Sequence, residues 1–148
     1  MSTVLTIAGH DPSSGAGVTA DLSTFAAHGL FGSSCITALT VQSTQGVFGS
    51  SPVSAEILAA ALDCLLADLP PVGIKIGMLA TASNVIAVAD FLERIRDMAP
   101  NTPIVLDPVL RSSSGRELLD QTGVTRLRDS LLPLVGWITP NLEELGIL

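Results

Sequence analysis

Short apolar runs alternate with longer amphipathic stretches along the whole sequence. The amphipathic stretches carry apolar residues at helical spacing and predict helices over about 17–28, 54–68, 83–98 and 122–132, with a further helix starting at Asn141. Stretch 43–53, rich in Gly, Ser and Thr, is predicted to be a loop or small flap, and serine-rich 112–115 a loop. The apolar runs read as five buried strands, at 4–8, 35–41, 72–76, 104–106 and 137–139.

This alternation predicts an α/β fold with a mostly parallel sheet and helices on both faces, a Rossmann-like three-layer arrangement. The length of 148 residues is that of one domain, so residues 1–148 are expected to belong to a single unit. The last helix is only begun at residue 148, and its apolar residues have nothing to cover them. We therefore expect the chain to be truncated relative to its full fold, or another copy to cover that edge.

Composition and charge narrow the classes of function. Seven basic residues against 14 acidic ones give a formal charge of −7, so no basic face is expected to bind nucleic acid. An apolar content of 47% excludes disorder, and no apolar run approaches the 18 residues that a membrane span requires. Cys35 and Cys64 lie in apolar sequence without a CxxC partner, and are predicted to be buried thiols of a cytoplasmic protein.

The carboxyl ends of all five predicted strands carry polar or glycine residues. In a doubly wound sheet, ligands bind beyond these ends, so the pattern predicts a ligand site along that edge. The residues at the ends are Gly9, His10 and Asp11, then Gln42, then Gly77 and Met78, then Asp107 to Val109, then Thr139 to Asn141.

The glycine-rich segment 15–20 matches the G-x-G-x-x-[GA] dinucleotide pattern, but its context does not fit. Six residues separate it from the first strand, and the second strand ends in Gln42 instead of the acid that binds a ribose. No Gly-Lys-[Ser/Thr] phosphate loop or G-x-S-x-G nucleophile elbow occurs. What remains is a glycine-rich turn that lets a substrate approach the backbone closely.

Three residues admit both a structural and a substrate-binding interpretation. Asp21, one turn into the first helix, either favours the helix dipole or accepts hydrogen bonds from a substrate. Gln42 either satisfies loop backbone or offers its amide donor and acceptor to the edge of an aminopyrimidine. Met78 either packs in the core or presents a soft apolar surface to a flat ring.

Three further residues have the chemistry of a magnesium and phosphate site. Asn141 and Glu144 share one face at a helix start, where they either cap the helix or hold a hydrated Mg²⁺ near nucleotide phosphates. Asp107, at the end of a buried strand, would be a second negative group for the same ion.

Five sequence blocks, at 5–22, 36–46, 75–79, 105–109 and 138–144, together resemble the hydroxymethylpyrimidine/phosphomethylpyrimidine kinases of thiamine biosynthesis, over essentially the whole chain. They include Lys75-Ile76-Gly77-Met78-Leu79 and Asp107-Pro108-Val109. The resemblance implies a ribokinase-like fold, of which this chain is the N-terminal portion. It also implies ATP- and Mg²⁺-dependent phosphorylation of 4-amino-5-hydroxymethyl-2-methylpyrimidine and then of its monophosphate.

The same resemblance assigns roles to residues. Asn141 and Glu144 would bind the nucleotide cofactor, with Glu144 and Asp107 at the metal. No catalytic residue is identified, because the family's base, anion hole and most of its adenine pocket lie beyond Leu148. The pyrimidine pocket would be lined by Gly9, Asp21, Gln42, Met78 and Val109.

We therefore expect the 148-residue chain to bind the pyrimidine alcohol weakly or not at all and to turn it over negligibly by itself. We also expect a homo-oligomer, a dimer. Two alternatives stay open: a pyridoxal kinase-like enzyme, which acts on a similar flat heteroaromatic alcohol, and a non-catalytic, truncated pyrimidine-binding protein.

Overall fold

A computed structural model of the protein describes residues 2–112 and 115–148; residues 113 and 114 of the predicted serine-rich loop lie outside the described part. The helices are α1 (Gly17–Ala27), α2 (Ala55–Asp68), α3 (Ala82–Met98), α4 (Gln121–Arg126) and α5 (Leu142–Ile147). A π-helical turn (Leu127–Leu131) and a 3-10 turn (Leu132–Leu134) continue from α4. The strands are β1 (Thr3–His10), β2 (Phe31–Ser43), β3 (Gly46–Pro52), β4 (Gly73–Ile76), β5 (Ile104–Leu106) and β6 (Trp137–Ile138).

The strands form one sheet in the order β3-β2-β1-β4-β5-β6. All neighbouring pairs are parallel except β2 and β3, which pair antiparallel. The four parallel pairs are joined by crossovers, so the five predicted strands all end at the same edge of the sheet. The predicted α/β class with a mostly parallel sheet is confirmed.

The stretch predicted as a loop or flap is instead largely the strand β3. β2 continues beyond Val41 to Ser43, turns, and returns with Gln42 opposite Val47. This segment is rich in Gly, Ser and Thr and therefore shows little hydrophobic periodicity. The edge position of β3 permits such a composition, because most residues of the strand are exposed. The pairing comes from backbone hydrogen bonds to β2, which the side-chain pattern does not display.

Helices cover both faces of the sheet. Helix α1 packs on β1 and β2 on one face, where Gly32 leaves room for Leu22 and Phe25. On the opposite face α2, α3 and the α4 region enclose an aliphatic core with residues from four parallel strands. Its largest fully buried side chains include Leu5, Ile7, Leu58, Leu62, Ile76, Phe91, Leu92, Leu106, Leu127 and Leu131.

The two cysteines differ in their surroundings. Cys35, on β2, is buried, and burial raises the pKa of its thiol to about 11. Cys64 is exposed on α2, so the prediction of a buried thiol is wrong there. Leu58 and Leu62 form the buried face of that helix, and Cys64 follows Leu62 by two positions, which places it on the other side. Within the described residues, no helix is long and apolar enough to span a bilayer.

Helix α5 leaves part of its apolar surface uncovered. Leu142 is 90% exposed and Leu145 is 57% exposed, whereas Ile147 and Leu148 pack against the core. The uncovered apolar end expected from the sequence is therefore present on one side of this helix.

Candidate functional site

A cavity of about 300 Å³ opens at the carboxyl ends of the central strands, where the sequence predicts a ligand site. This volume is at the lower end of the range typical of small-molecule pockets. Gly9, Gln42, Met78 and Val109, four of the five predicted pyrimidine-binding residues, line it together. Other lining residues are Ala8, His10, Asp11, Ala16, Gly17, Thr40, Val47, Lys75, Gly77, Asp107, Arg111, Ser112 and Leu118.

The loop between β1 and α1 is built around the buried carboxylate of Asp11. Its Oδ1 accepts hydrogen bonds from the backbone N–H and the hydroxyl of Ser13, at 2.8 and 2.7 Å. Its Oδ2 accepts from the N–H groups of Gly15 and Ala16, both at 3.1 Å. Burial works against ionisation, but the Ser13 hydroxyl and the three N–H donors outweigh it and lower the pKa of Asp11. This carboxylate therefore fixes one wall of the cavity, a role that the sequence interpretation did not assign to it.

Gly17 is required where this loop returns to the sheet. Its backbone has φ of +63°, and a side chain there would overlap the carbonyl oxygen of Gly9. His10 and Gly17 also form an isolated antiparallel bridge. The glycine-rich segment thus brings the start of α1 against the end of β1, and both glycines line the cavity.

Gln42 lies on the wall formed by β2 and β3. The hydroxyl of Thr40 donates to the carbonyl of His10 at 2.8 Å and lies 3.1 Å from Gln42 Oε1. Thr40 therefore links the Gln42 amide to the end of β1 and restricts its orientation. The sequence left open that Gln42 satisfies loop backbone, and the structure instead shows its amide oxygen in contact with the Thr40 side chain.

Met78 is held by a buried polar network. The hydroxyl of Thr37 donates to the Met78 carbonyl at 2.5 Å. The Nδ2 group of Asn84, which is fully buried, donates to the carbonyls of Leu79, Thr37 and Val53 at 3.0, 3.3 and 3.3 Å. One amide therefore ties the turn after β4 to β2 and to the end of β3. Sequence reasoning missed Asn84, since an asparagine in the first turn of a helix is ordinarily a capping residue.

Asp21 lies behind the cavity and is not among its lining residues. Its Oδ2 accepts from the buried hydroxyl of Thr6 at 2.6 Å and from the ammonium of Lys75 at 3.0 Å. The Lys75 and Asp21 side chains are 25% and 17% exposed. Asp21 reaches the site through Lys75, whose side chain does line the cavity. The structure therefore supports neither a purely exposed acid nor direct placement of Asp21 in the pocket wall.

Asp107 and Glu144 are close enough for the charge of Glu144 to act on Asp107, but they differ in position relative to the cavity. Burial raises the pKa of Asp107; Lys75 and the Thr139 hydroxyl oppose this rise, and the charges of Glu144 and Asp21 add to it. Asp107 lines the cavity, whereas Asn141 and Glu144 lie outside its lining.

Asn141 and Glu144 cap α5 reciprocally. The N–H of Glu144 donates to Asn141 Oδ1, and the N–H of Asn141 donates to Glu144 Oε2, both at 2.9 Å. This capping box is the structural interpretation that the sequence left open. Asn141 keeps its Nδ2 group and Glu144 its Oε1 outside the box, so capping does not exclude a role toward a ligand.

Fold and cavity together define an α/β protein with a cavity at the carboxyl edge of its sheet, where proteins of this class bind small molecules. The sequence profile described as phosphomethylpyrimidine kinase matches residues 11–148. The chain belongs to the phosphomethylpyrimidine kinase family, which confirms the resemblance seen in its motifs.

A similar curated protein is the hydroxymethylpyrimidine/phosphomethylpyrimidine kinase of Rhizobium meliloti (strain 1021). It is 44% identical over 144 residues, which cover 97% of this chain and 52% of the relative. The chain thus spans about half the length of the curated relatives it matches. These relatives are named as kinases, and the match covers about half of each of them.

Two solved structures show the same fold. The phosphomethylpyrimidine kinase of Clostridium difficile 630 superposes with a TM-score of 0.87 at 38% identity, covering 97% of this chain and 61% of that chain. The pyridoxal kinase of Staphylococcus aureus in complex with AMP-PCP and pyridoxal superposes with a TM-score of 0.81 at 31% identity, covering 100% and 51%. The predicted ribokinase-like class is consistent with both neighbours.

Proposed function

We propose that the cavity binds 4-amino-5-hydroxymethyl-2-methylpyrimidine and its monophosphate and serves their ATP-dependent phosphorylation in thiamine biosynthesis, a reaction that these 148 residues do not complete by themselves. The observation that carries this proposal is the convergence of Gly9, Gln42, Met78 and Val109 on one cavity of about 300 Å³ at the strand ends. The family to which the chain belongs supports the same substrate class.

The chemistry of the cavity suits a flat, nitrogen-containing ring. Met78 and Val109 offer apolar surface to the faces of the ring, and the Gln42 amide offers a donor and an acceptor to its polar edge. Gly9 removes a side chain that would meet the Met78 sulfur at 3.1 Å, so the thioether can approach the end of β1. Asp21 is proposed to act from behind the wall, through its ion pair with Lys75.

ATP and Mg²⁺ are proposed as cofactors. In the described part of the chain, no three His, Cys, Asp or Glu side chains are grouped to hold a metal. Mg²⁺ is commonly bound by one or two carboxylates together with substrate phosphates and water, and Asp107 and Glu144 fit that need. When bound, the ion would neutralise charge on the transferred phosphoryl group. Asp107 and Glu144 would hold it, and Asn141 would lie near the nucleotide phosphates.

We expect the 148-residue chain to bind the pyrimidine alcohol weakly and to turn it over negligibly. Phosphoryl transfer depends on donors directed at the oxygens where charge develops, and the described residues that line this cavity include two carboxylates, Asp11 and Asp107, which repel such oxygens. Binding is measured from the ¹³C-methyl signal of Met78, with exposed Met98 as an internal reference. Turnover is measured with a coupled ADP assay.

Matched variants make this experiment specific. Gln42→Leu should weaken the binding of the alcohol by about tenfold or more, because a charge-neutral edge contact is lost. Gln121→Leu, at an exposed glutamine outside the cavity, should leave it unchanged. Absence of a saturable Met78 shift would contradict the proposed substrate. Turnover at a rate typical of enzymes, about 1 per second or faster, would contradict the expected inactivity.

The two alternatives are separated by the same titration. If pyridoxal shifts the Met78 signal at a lower concentration than the pyrimidine does, a pyridoxal kinase-like enzyme is favoured. This alternative is specific, because a pyridoxal kinase solved with pyridoxal superposes on this chain. Pyrimidine binding that does not respond to Mg-ATP would favour a non-catalytic binding protein.

We also propose that the protein is cytoplasmic and forms a homodimer. Leu39, Val41 and Phe48 expose apolar surface on the antiparallel pair β2 and β3, and β3 is an edge strand. Light scattering should give twice the mass of one chain, and Val41→Lys should shift the mass toward the monomer. A monomer at all concentrations tested for the unaltered chain would contradict the dimer.

A further inference from the structure

Among the described residues that line the cavity, two are cationic, Lys75 and Arg111. Their ion pairs differ in how far they are exposed to solvent. The Lys75 side chain is three-quarters buried, and its ammonium pairs with Asp21 at 3.0 Å. Arg111 pairs with Glu143 of α5, with 2.6 Å between Nη1 and Oε1, and these side chains are 53% and 61% exposed. Of these two cations, Arg111 is therefore the one whose acidic partner is exposed to solvent.

An exposed ion pair of this kind contributes little free energy, because water screens both charges. A guanidinium group binds a phosphate in a bidentate, charge-assisted geometry that is stronger than its contact with a solvated carboxylate. A phosphate monoester also carries about −1.5 to −2 charges at neutral pH. A phosphate brought to the rim would therefore displace Glu143 from Arg111.

The backbone that carries Arg111 is fixed before any ligand arrives. Arg111 forms an antiparallel bridge with Glu117, and the N–H of Leu118 donates to the carbonyl of Leu110 at 2.9 Å. The guanidinium of Arg116 donates to the carbonyl of Phe48 at 2.8 Å, which attaches this loop to β3. Because the described residues on either side of Arg111 are already attached to their neighbours, binding at Arg111 requires mainly a change of side-chain rotamer.

The position of the pair also suits a phosphate on the pyrimidine. Arg111 connects the cavity rim to the first turn of α5, through Glu143. The next residue, Glu144, and the helix cap, Asn141, are those proposed above to lie near the metal and the nucleotide phosphates. Because Arg111 itself lines the cavity, its guanidinium lies within reach of a phosphate carried by a pyrimidine bound there.

We propose that Arg111 binds the phosphate of the pyrimidine monophosphate at the mouth of the cavity, and that Glu143 is its competing partner in the free protein. This inference rests on the proposed function, since it takes the pyrimidine as the ligand. It adds the side chain that distinguishes the phosphorylated substrate from the free alcohol. In this inference the Glu143 carboxylate competes with the phosphate for Arg111 and so weakens the binding of the monophosphate.

The test compares 4-amino-5-hydroxymethyl-2-methylpyrimidine with its monophosphate, by titration of the Met78 methyl signal in Mg²⁺-free buffer. Arg111→Ala should weaken binding of the monophosphate about tenfold, as expected for one lost charge-assisted contact, and change that of the alcohol by less than about twofold. Arg111→Lys should fall between Arg111→Ala and the unaltered chain. Glu143→Gln should strengthen binding of the monophosphate by about two- to fivefold and leave the alcohol unchanged.

A second exposed ion pair serves as the matched control. Arg128 and Asp129 lie 3.0 Å apart with side chains 44% and 56% exposed, and neither lines the cavity. Arg128→Ala and Asp129→Asn should leave the affinity for both ligands unchanged.

Each result separates this inference from the proposed function. Equal weakening of both ligands by Arg111→Ala, no effect of Arg111→Ala on the monophosphate, or weaker monophosphate binding in Glu143→Gln would overturn the inference alone. If neither ligand shifts Met78 in the unaltered chain, the proposed function fails and the inference fails with it.

Discussion

Gly17→Ala is expected to lower the free energy of unfolding by about 3 kcal/mol or more and to disrupt the cavity. The left-handed backbone at φ of +63° disfavours any side chain by about 1–2 kcal/mol, and the new Cβ would also overlap the Gly9 carbonyl oxygen. The Cβ is bonded directly to the backbone and the atom it meets is a backbone oxygen, so no side-chain rotation can relieve the overlap and the loop or α1 must shift. Urea denaturation gives the free energy, and the Met78 titration reports the cavity.

Gly29→Ala provides the matched control. Gly29 also has a left-handed backbone, at φ of +71°, but a Cβ there would meet no atom within 4 Å. We expect a loss of only about 1 kcal/mol and an unchanged cavity, because only the conformational penalty remains. Equal losses for the two variants would show that the close approach of Gly17 to Gly9 contributes nothing.

Asp11→Asn is expected to lower the free energy of unfolding by about 2–3 kcal/mol at neutral pH. The carboxylate accepts four hydrogen bonds, two on each oxygen. An asparagine can keep the pair with Ser13 only by directing its NH₂ group at the N–H groups of Gly15 and Ala16, which leaves these donors unpaired. The variant should also lose most of its pyrimidine affinity, because Asp11 and Ala16 both line the cavity.

The pH dependence of stability provides a second measurement. Since the folded-state pKa of Asp11 is lowered from 3.8, its ionised form stabilises the fold above that value, and this contribution is lost as the pH falls through the folded pKa. Part of the acid-induced loss of stability should therefore be absent in Asp11→Asn. Asp129→Asn, at an exposed acid, should change stability by less than about 0.5 kcal/mol and keep the pH profile. Identical profiles for Asp11→Asn and the unaltered chain would contradict this assignment.

The parallel strands and the location of the cavity could be predicted because they follow from local patterns. Apolar runs such as 72–76 mark strands that are buried on both faces, and the amphipathic stretches between them require crossovers. Together these place every strand's carboxyl end at one edge. Gln42, Met78 and Val109 follow from that rule, and the structure brings them to one cavity.

Other features could not be predicted, for distinct physical reasons. β3 has no hydrophobic alternation, because as an exposed edge strand it is formed by backbone pairing with β2. Cys64 is exposed because Leu58 and Leu62 pack into the core and so decide which face of α2 is buried. The sequence around Cys64 does not by itself show which face that is. Asp21 appears in sequence as a helix-start acid, and only the fold shows it bonded to Lys75, 54 residues away.

The sequence by itself determined the fold class, the edge of the sheet that carries the cavity, and the family, because these depend on periodicity and on contiguous motifs. The tertiary structure decided which charges meet: Asp21 with Lys75, Arg111 with Glu143, and Asp11 with the backbone of its own loop. The energy of a charge pair depends on a separation of a few ångströms. Residues far apart in the chain reach that separation only when the sheet has formed and its helices have packed, so the sequence does not show which charges will meet.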